Sequence, residues 1–321
     1  MRIFRRRLMR FEQALRVYPL IVANGPLGTR LKYDYGFNST NGLTETPEGR
    51  RALSELYRGD IDVALAHNVP IIANAATFRA SRNHLQSAGF SQAGDVERIN
   101  ISSIQFLKAL RNDYRELNAL IYIGAPIGTM HDAYSVDSIP TVEQAMEYHQ
   151  EQIAIFKNVG VDFVNAVTIS NLPEALGIAL VADRSELPYT IGFILSADGK
   201  LLDGTPLDEA IAIIDARTTN KPLGYMITCT HASVIERLTT APEKYRRLIG
   251  IQPNGSALSP KELAALKNPQ ADSPEVFSST VMELQRKLNL KIACGCCGTS
   301  REHLKAIVEK CSPKQALRSK L

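Results

Sequence analysis

The stretch "GVDFVNAVTISNLPEALGIALVA", residues 160–182, reads as one complete folding unit. Residues 161–169 form a short run rich in Val, Ile and Phe, the composition of a strand buried on both faces. A helix follows, with Asn171 as N-cap and Pro173 and Glu174 in its first turn. A buried strand feeding a helix through a short loop is the repeating block of a parallel α/β sheet.

The same block recurs along the chain. Apolar runs stand at "PLIVAN" (19–24), "VPIIANAA" (69–76), "ALIYIGAP" (119–126), "YTIGFIL" (189–195), "LGYMITCT" (223–230), "RLIGIQPN" (247–254) and "LKIACGC" (290–296). Amphipathic patterns lie between them. "TVEQAMEYHQEQIAIFKNVG" has Thr141 as N-cap, Gln144 three residues on and Gly160 as its stop. "SPEVFSSTVMELQRKLNL" opens with Ser273 and Pro274. Eight strand–helix units predict an α/β protein, a (β/α)8 TIM barrel. Alternation alone does not show closure, so a doubly wound open sheet is the alternative. No repeat or low-complexity linker divides the chain. It therefore reads as an N-terminal helical arm over 1–17 and one barrel domain over 18–321, with long insertions at 30–50 and 126–140.

Composition narrows the class. With 45% hydrophobic and 22% charged residues in 321, the balance is that of a soluble globular protein with ample core. No apolar run reaches the ~20 residues of a membrane span and no secretory h-region is present. Arg2, Arg5, Arg6, Arg7 and Arg10 cluster at the N-terminus, but without aromatic interleaving or a reading motif they are taken as a solvated arm, not a nucleic-acid surface. Five cysteines, unevenly placed, do not make a disulfide framework; they predict a reducing, cytoplasmic setting. A homo-oligomer is compatible with all of this.

Three of those cysteines crowd into "KIACGCCGTSREHL", residues 291–304. Cys296 and Cys297 fall at the C-terminal end of the eighth strand and Cys229 at that of the sixth, the face where barrel enzymes place catalytic groups. With one strand between them, these thiols can converge on one ion. Three thiolates suit zinc with a fourth position open, and Gly295 and Gly298 permit the turn that adjacent ligands need. Cys294 reads as a buried small hydrophobe, and Cys311 as structural. An accidental core pair, a closed structural zinc site and a redox pair within "CGCC" are the rival readings.

These segments together resemble the homocysteine S-methyltransferases, including betaine-dependent enzymes and the homocysteine-binding part of cobalamin-dependent methionine synthase. "CGCCGTSREH" resembles the family's G-G-C-C-G-T segment, and "GYMITCT" its G-x-N-C segment, with Thr228 at the asparagine position. "NGPLGT" resembles D-G-x-x-G-T, "ANAATFRAS" resembles T-N-T-F-x-A-S, and "IQPNG" resembles P-N-x-G. The resemblance covers nearly the whole chain in order. It implies Cys229, Cys296 and Cys297 as zinc ligands, and Asn24, Gly25, Thr29, Asn74, Thr77, Phe78, Val167, Thr168 and Asn254 as substrate-binding positions. Two departures stand out: Val167 and Asn24 occupy positions where the family carries acids, expected to meet the amino group of homocysteine. Valine cannot pair with an ammonium group. Asp34, Asp132 or Asp137 would have to substitute.

The resemblance implies a zinc-dependent S-methyltransferase acting on a small-molecule thiol acceptor, homocysteine or a related thiol, and on a separate methyl donor. The alternative is a metal-binding or thiol-redox barrel that has lost methyl transfer. A cationic donor would favour aromatic faces, for which Tyr33, Tyr35, Phe37 and Tyr134 are candidates. His131 and His231 are candidates for the pocket and for orienting a ligand, and His303 lies in the last helix.

Overall fold

The computed structural model describes residues 9–258, 262 and 268–311. Arg2, Arg5, Arg6 and Arg7 therefore lie outside the described residues, as do 312–321. Eight parallel strands follow one another in order around a single sheet. They are β1 (Val22–Ala23), β2 (Ile71–Asn74), β3 (Ile121–Ile127), β4 (Phe163–Ile169), β5 (Tyr189–Phe193), β6 (Gly224–His231), β7 (Leu248–Asn254) and β8 (Ile292–Ala293). A bridge between Ile21 and Ile292 joins the first strand to the last, with the Ile21 amide donating to the Lys291 carbonyl at 2.8 Å. That closes the (β/α)8 barrel and removes the open-sheet alternative.

All eight apolar runs become strands. The terminal ones are shorter than the runs, because ladder pairing with neighbouring strands is confined to Ile21–Ala23 and Ile292–Ala293. The helix caps fall where the side chains predict. Thr141 accepts from the Gln144 amide while the Gln144 side chain accepts from the Thr141 amide. Asn171 accepts from Glu174 N at 2.9 Å, and Ser273 from Val276 N at 3.3 Å.

Side chains fill the barrel interior in layers, two residues apart along each strand. The bottom layer is apolar: Ile72, Tyr122, Phe163, Met226 and Ile292 form one cluster with Cys294. Helix α1 (Phe11–Val17) seals it from below. Phe11 is buried, stacked on Phe163 at a centroid distance of 4.1 Å and tilted against Tyr122 at 5.2 Å. Burying that ring contributes about 1.5–3 kcal/mol, with roughly 0.5–1.5 more from aromatic geometry. The arm is thus a plug, not only a solvated appendage.

The middle layer is polar and neutral. Asn165 donates to Asn74 Oδ1 at 3.2 Å, and Thr190 donates to Asn165 Oδ1 at 2.8 Å. Asn74's own amide donates to Asn24 Oδ1 at 2.7 Å. Gly124 makes room for this ladder: a Cβ there would stand 2.7 Å from Asn74 Oδ1.

Candidate metal centre

Above the polar layer, strict alternation would place Cys229 outside the barrel, because Met226 faces in and Ile227 packs outward. The backbone breaks step instead. The pairing of β6 with β7 shifts between Thr228 and His231, and Cys229 adopts a left-handed φ of +52°. A matching shift interrupts β4 between Ala166 and Ile169, with Thr168 at φ +61°. Left-handed geometry costs a non-glycine residue of order 1–3 kcal/mol, and a β-branched one adopts it rarely. Two hydrogen bonds hold the distortion. Asn254 Nδ2 donates to the Cys229 carbonyl at 2.9 Å, and the Thr168 amide donates to Thr228 Oγ1 at 2.9 Å.

The result gathers the predicted thiols. Cys229, Cys296 and Cys297 place their Sγ atoms within 4.8 Å of one another, with 2.7 Å between Cys229 and Cys296. Tetrahedral zinc with bonds of about 2.3 Å needs sulfurs roughly 3.8 Å apart, so the trio fits such an ion after small side-chain motion. It is the one cluster of metal-ligating type found among the described residues. Two hydroxyls face it: Thr168 Oγ1 donates to Cys229 Sγ at 3.3 Å and Thr29 Oγ1 to Cys297 Sγ at 3.7 Å. Asn254 Oδ1 is buried there without a hydrogen-bond partner.

The thiols share their protons unequally. Donation from Cys229 and Cys296, helped by Thr29, holds Cys297 well below the ordinary thiol range. Contacts with Cys229 and Cys297, then burial, push Cys296 well above it. For Cys229, the Cys296 contact lowers the pKa, but Cys297 and burial outweigh it and push it up to about 12. Cys297 is the first to become a thiolate. Cys294 stays apart in the bottom cluster, its thiol pushed up to about 12 by burial.

Of the remaining expected positions, Gly25 and Phe78 are half-buried in the first and second loops, and Arg79 lies over the Phe78 ring at 5.7 Å. Asn24 and Asn74 belong to the polar ladder. Thr77 spends its hydroxyl on the Pro126 carbonyl at 2.8 Å. Val167 continues the inward period of Phe163 and Asn165 and is half-buried at the top of β4. The substitute acids are engaged elsewhere: Asp34 stands 3.9 Å from Arg30, Asp132 accepts from the Tyr134 amide, and Asp137 accepts from Ser135.

Among the candidate aromatics, Tyr33 carries Lys32 over its ring, Tyr35 donates to Glu55 and Phe37 packs on the core. Tyr134 alone of the four is acted on by the thiols: the charge of Cys229, then burial, then Cys297 raise its pKa. The histidines serve structure. His231 bonds Ser233, His303 bridges Ser300 and the Asp272 carbonyl, and His131 is exposed. The interior Asn165–Thr190 ladder lies beyond the sequence expectations; polar residues in phase within apolar runs are its one visible sign.

A family model described as homocysteine S-methyltransferase matches residues 21–311. The chain belongs to the homocysteine S-methyltransferase family. It is accordingly a methyltransferase. In solved structures, the homocysteine methyltransferase MmuM from Escherichia coli shares the fold. Its metallated form aligns with a TM-score of 0.73 at 17% identity, covering 92% of this chain and 98% of that one. Its oxidized form gives 0.73 at 15% identity, over 92% and 97%. Its apo form gives 0.67 at 17% identity, again over 92% and 97%. No curated protein matches the chain by sequence.

Proposed function

We propose that this methyltransferase is zinc-dependent and transfers a methyl group from a small-molecule donor to a thiol acceptor, homocysteine or a related thiol. The observation that carries the reading is the convergence of Cys229, Cys296 and Cys297 within 4.8 Å at the loop face of the barrel. Zinc bound there would supply an electron-rich, deprotonated acceptor sulfur near neutral pH, where a free thiol of pKa ~8.5 is mostly protonated.

The chain's own residues do the rest. Cys297, lowest in pKa, offers the first thiolate for loading. Asn254 and the bulge at Cys229 fix ligand direction. Thr29 and Thr168 donate to two of the sulfurs and so moderate their charge. The neutral Asn and Thr layer gives the acceptor a floor without fixed charge. Holding acceptor and donor in line would supply most of the remaining rate. No helix of the described residues is long and apolar enough to cross a membrane.

The test is metal content and turnover together. Protein purified without added zinc should hold about one zinc per chain, and Cys296→Ala should hold almost none. Retention of zinc by that variant would refute the reading. A second reading, a thiol-redox barrel without methyl transfer, draws on the 2.7 Å approach of Cys229 to Cys296. It requires a Cys229–Cys296 disulfide under mild oxidation together with no methyl transfer to homocysteine from S-methylmethionine, S-adenosylmethionine or betaine.

A further inference from the structure

Homocysteine carries an ammonium group as well as its thiol, and a cation brought to the barrel mouth needs acceptors there. The acids closest to hand in the sequence are spent. Asp34, Asp132 and Asp137 are engaged as described above. Glu174, the acid that follows β4, is buried and accepts from the Met130 amide and from His149 Nε2. A carboxylate does stand at the mouth, on another element. Asp272 lies just before the helix Pro274–Lys287, and the backbone ties it to the thiols in two steps. The Gly255 amide donates to the Cys297 carbonyl at 2.8 Å, and the Asp272 amide donates to the Gly255 carbonyl at 2.7 Å. The Asp272 carbonyl accepts in turn from His303 Nε2 at 2.9 Å. A Cβ on Gly255 would stand 2.5 Å from Ala271 Cβ, so only glycine admits this seat.

The backbone of Asp272 is fixed, but its charge is not spent. The carboxylate leans toward the end of β6, with Oδ2 3.8 Å from Nε2 of His231, the residue paired with Asn254 and two beyond Cys229. That distance is past hydrogen-bond range, and among the described residues no other donor reaches the carboxylate, whose side chain is half exposed. A second unsatisfied acceptor belongs to the residue before Gly255. Asn254 is 5% exposed, its Nδ2 is held on the Cys229 carbonyl, and its Oδ1 is buried without a partner. An empty buried oxygen is costly unless a ligand donates to it. An ammonium group has three N–H donors and no acceptor, which suits a carbonyl oxygen and a carboxylate on adjoining segments.

We propose that Asp272 is the carboxylate that receives the ammonium group of an aminothiol acceptor, with Asn254 Oδ1 taking a second of its N–H donors. This rests on the methyl-transfer reading for the presence of a thiol acceptor at the cluster. The charge is then delivered from the segment after β7, in place of the first and fourth strands, where Asn24 and Val167 stand. The half-exposed position lets the cation keep part of its hydration, so the pair selects among thiols more than it adds affinity. Asp272 makes no contact with the sulfurs and leaves metal loading to the cysteines.

The experiment separates binding from turnover. The protein is loaded with cobalt in place of zinc, and the sulfur-to-cobalt absorption band is followed during titration with homocysteine or its desamino analogue, mercaptobutyrate, in wild type, D272N and D132N. D272N should cut the preference for homocysteine over the analogue about tenfold, the weight of one partly exposed hydrogen bond to a charged group. The analogue's own affinity and the cobalt content should stay as in wild type, and D132N should behave as wild type throughout. In turnover, D272N should raise KM for homocysteine about tenfold and leave kcat unchanged. A preference preserved in D272N, or lost in D132N instead, overturns the assignment. So does an equal loss of affinity for both thiols, or a wild-type band that neither thiol changes. If the preference falls in D272N while no donor gives methyl transfer, the assignment of Asp272 stands and the enzymatic reading alone fails.

Discussion

Asp60, on the helix Pro47–Ala66, offers the sharpest energetic test of how the two thiol-bearing ends are held. Its carboxylate is 2% exposed and accepts two hydrogen bonds from Arg30 Nη1, at 3.0 and 2.8 Å. Arg301 Nε lies 3.4 Å from the same carboxylate. Arg30 follows Thr29, the donor to Cys297, and Arg301 opens the helix that follows the Cys296–Cys297 turn. One buried carboxylate therefore ties the first loop to the last. Asp60→Asn keeps the shape and removes the charge, leaving the guanidinium of Arg30, 10% exposed, with only Asp34 at 3.9 Å. Breaking a buried pair in this way costs about 3–5 kcal/mol, against a total stability of roughly 5–15 kcal/mol for a protein. Urea unfolding followed by tyrosine fluorescence should show the unfolding free energy falling by that amount, with the midpoint lowered by that loss divided by an unchanged slope. Zinc retention during dialysis should fall with it. Replacing both partners, as in R30M/D60L, should recover most of the loss, since two apolar side chains leave no stranded charge. A loss below about 1 kcal/mol in Asp60→Asn would refute the argument.

Other outcomes follow from the same geometry. Cys294→Ala should keep the full zinc complement, because that thiol packs in the bottom cluster, whereas Cys229, Cys296 or Cys297 changed to Ala should lose it; metal analysis separates the cases. In metal-free protein, alkylation across a pH series should strike Cys297 first. Its depressed pKa means the thiolate persists as pH falls below the ordinary thiol range, while Cys229 should gain reactivity only as pH climbs toward about 12. Uniform reactivity of the two would contradict the proton sharing described. Phe11→Ala should cost about 3–5 kcal/mol in unfolding experiments by emptying the space beneath Phe163, without changing metal content.

Much of this was legible in the sequence. Strands buried on both faces leave continuous apolar runs, so all eight could be read locally. Strand-end cysteines two strands apart could be expected to meet once the sheet was taken to close. The caps at Thr141, Asn171 and Ser273 are decided within four residues, which is why they were readable. The rest depends on partners distant in sequence. Nothing near Phe11 announces a ring that will lie on Phe163, and nothing near Tyr134 announces Cys229. Aromatic residues in the first long insertion, Tyr33, Tyr35 and Phe37, looked as eligible as Tyr134, but only tertiary placement separates them. Asp60 and Arg30 look like ordinary helix charges until burial pairs them.

The distortion at Cys229 has a consequence for transplanting this chemistry. A cysteine one position out of phase with its strand is useless as a ligand unless its carbonyl is caught by Asn254 on the neighbouring strand. The two residues form one inheritable part: grafting the thiol alone onto another barrel would deliver it to the helix layer, whereas grafting both, with the shifted register, would deliver it to the mouth.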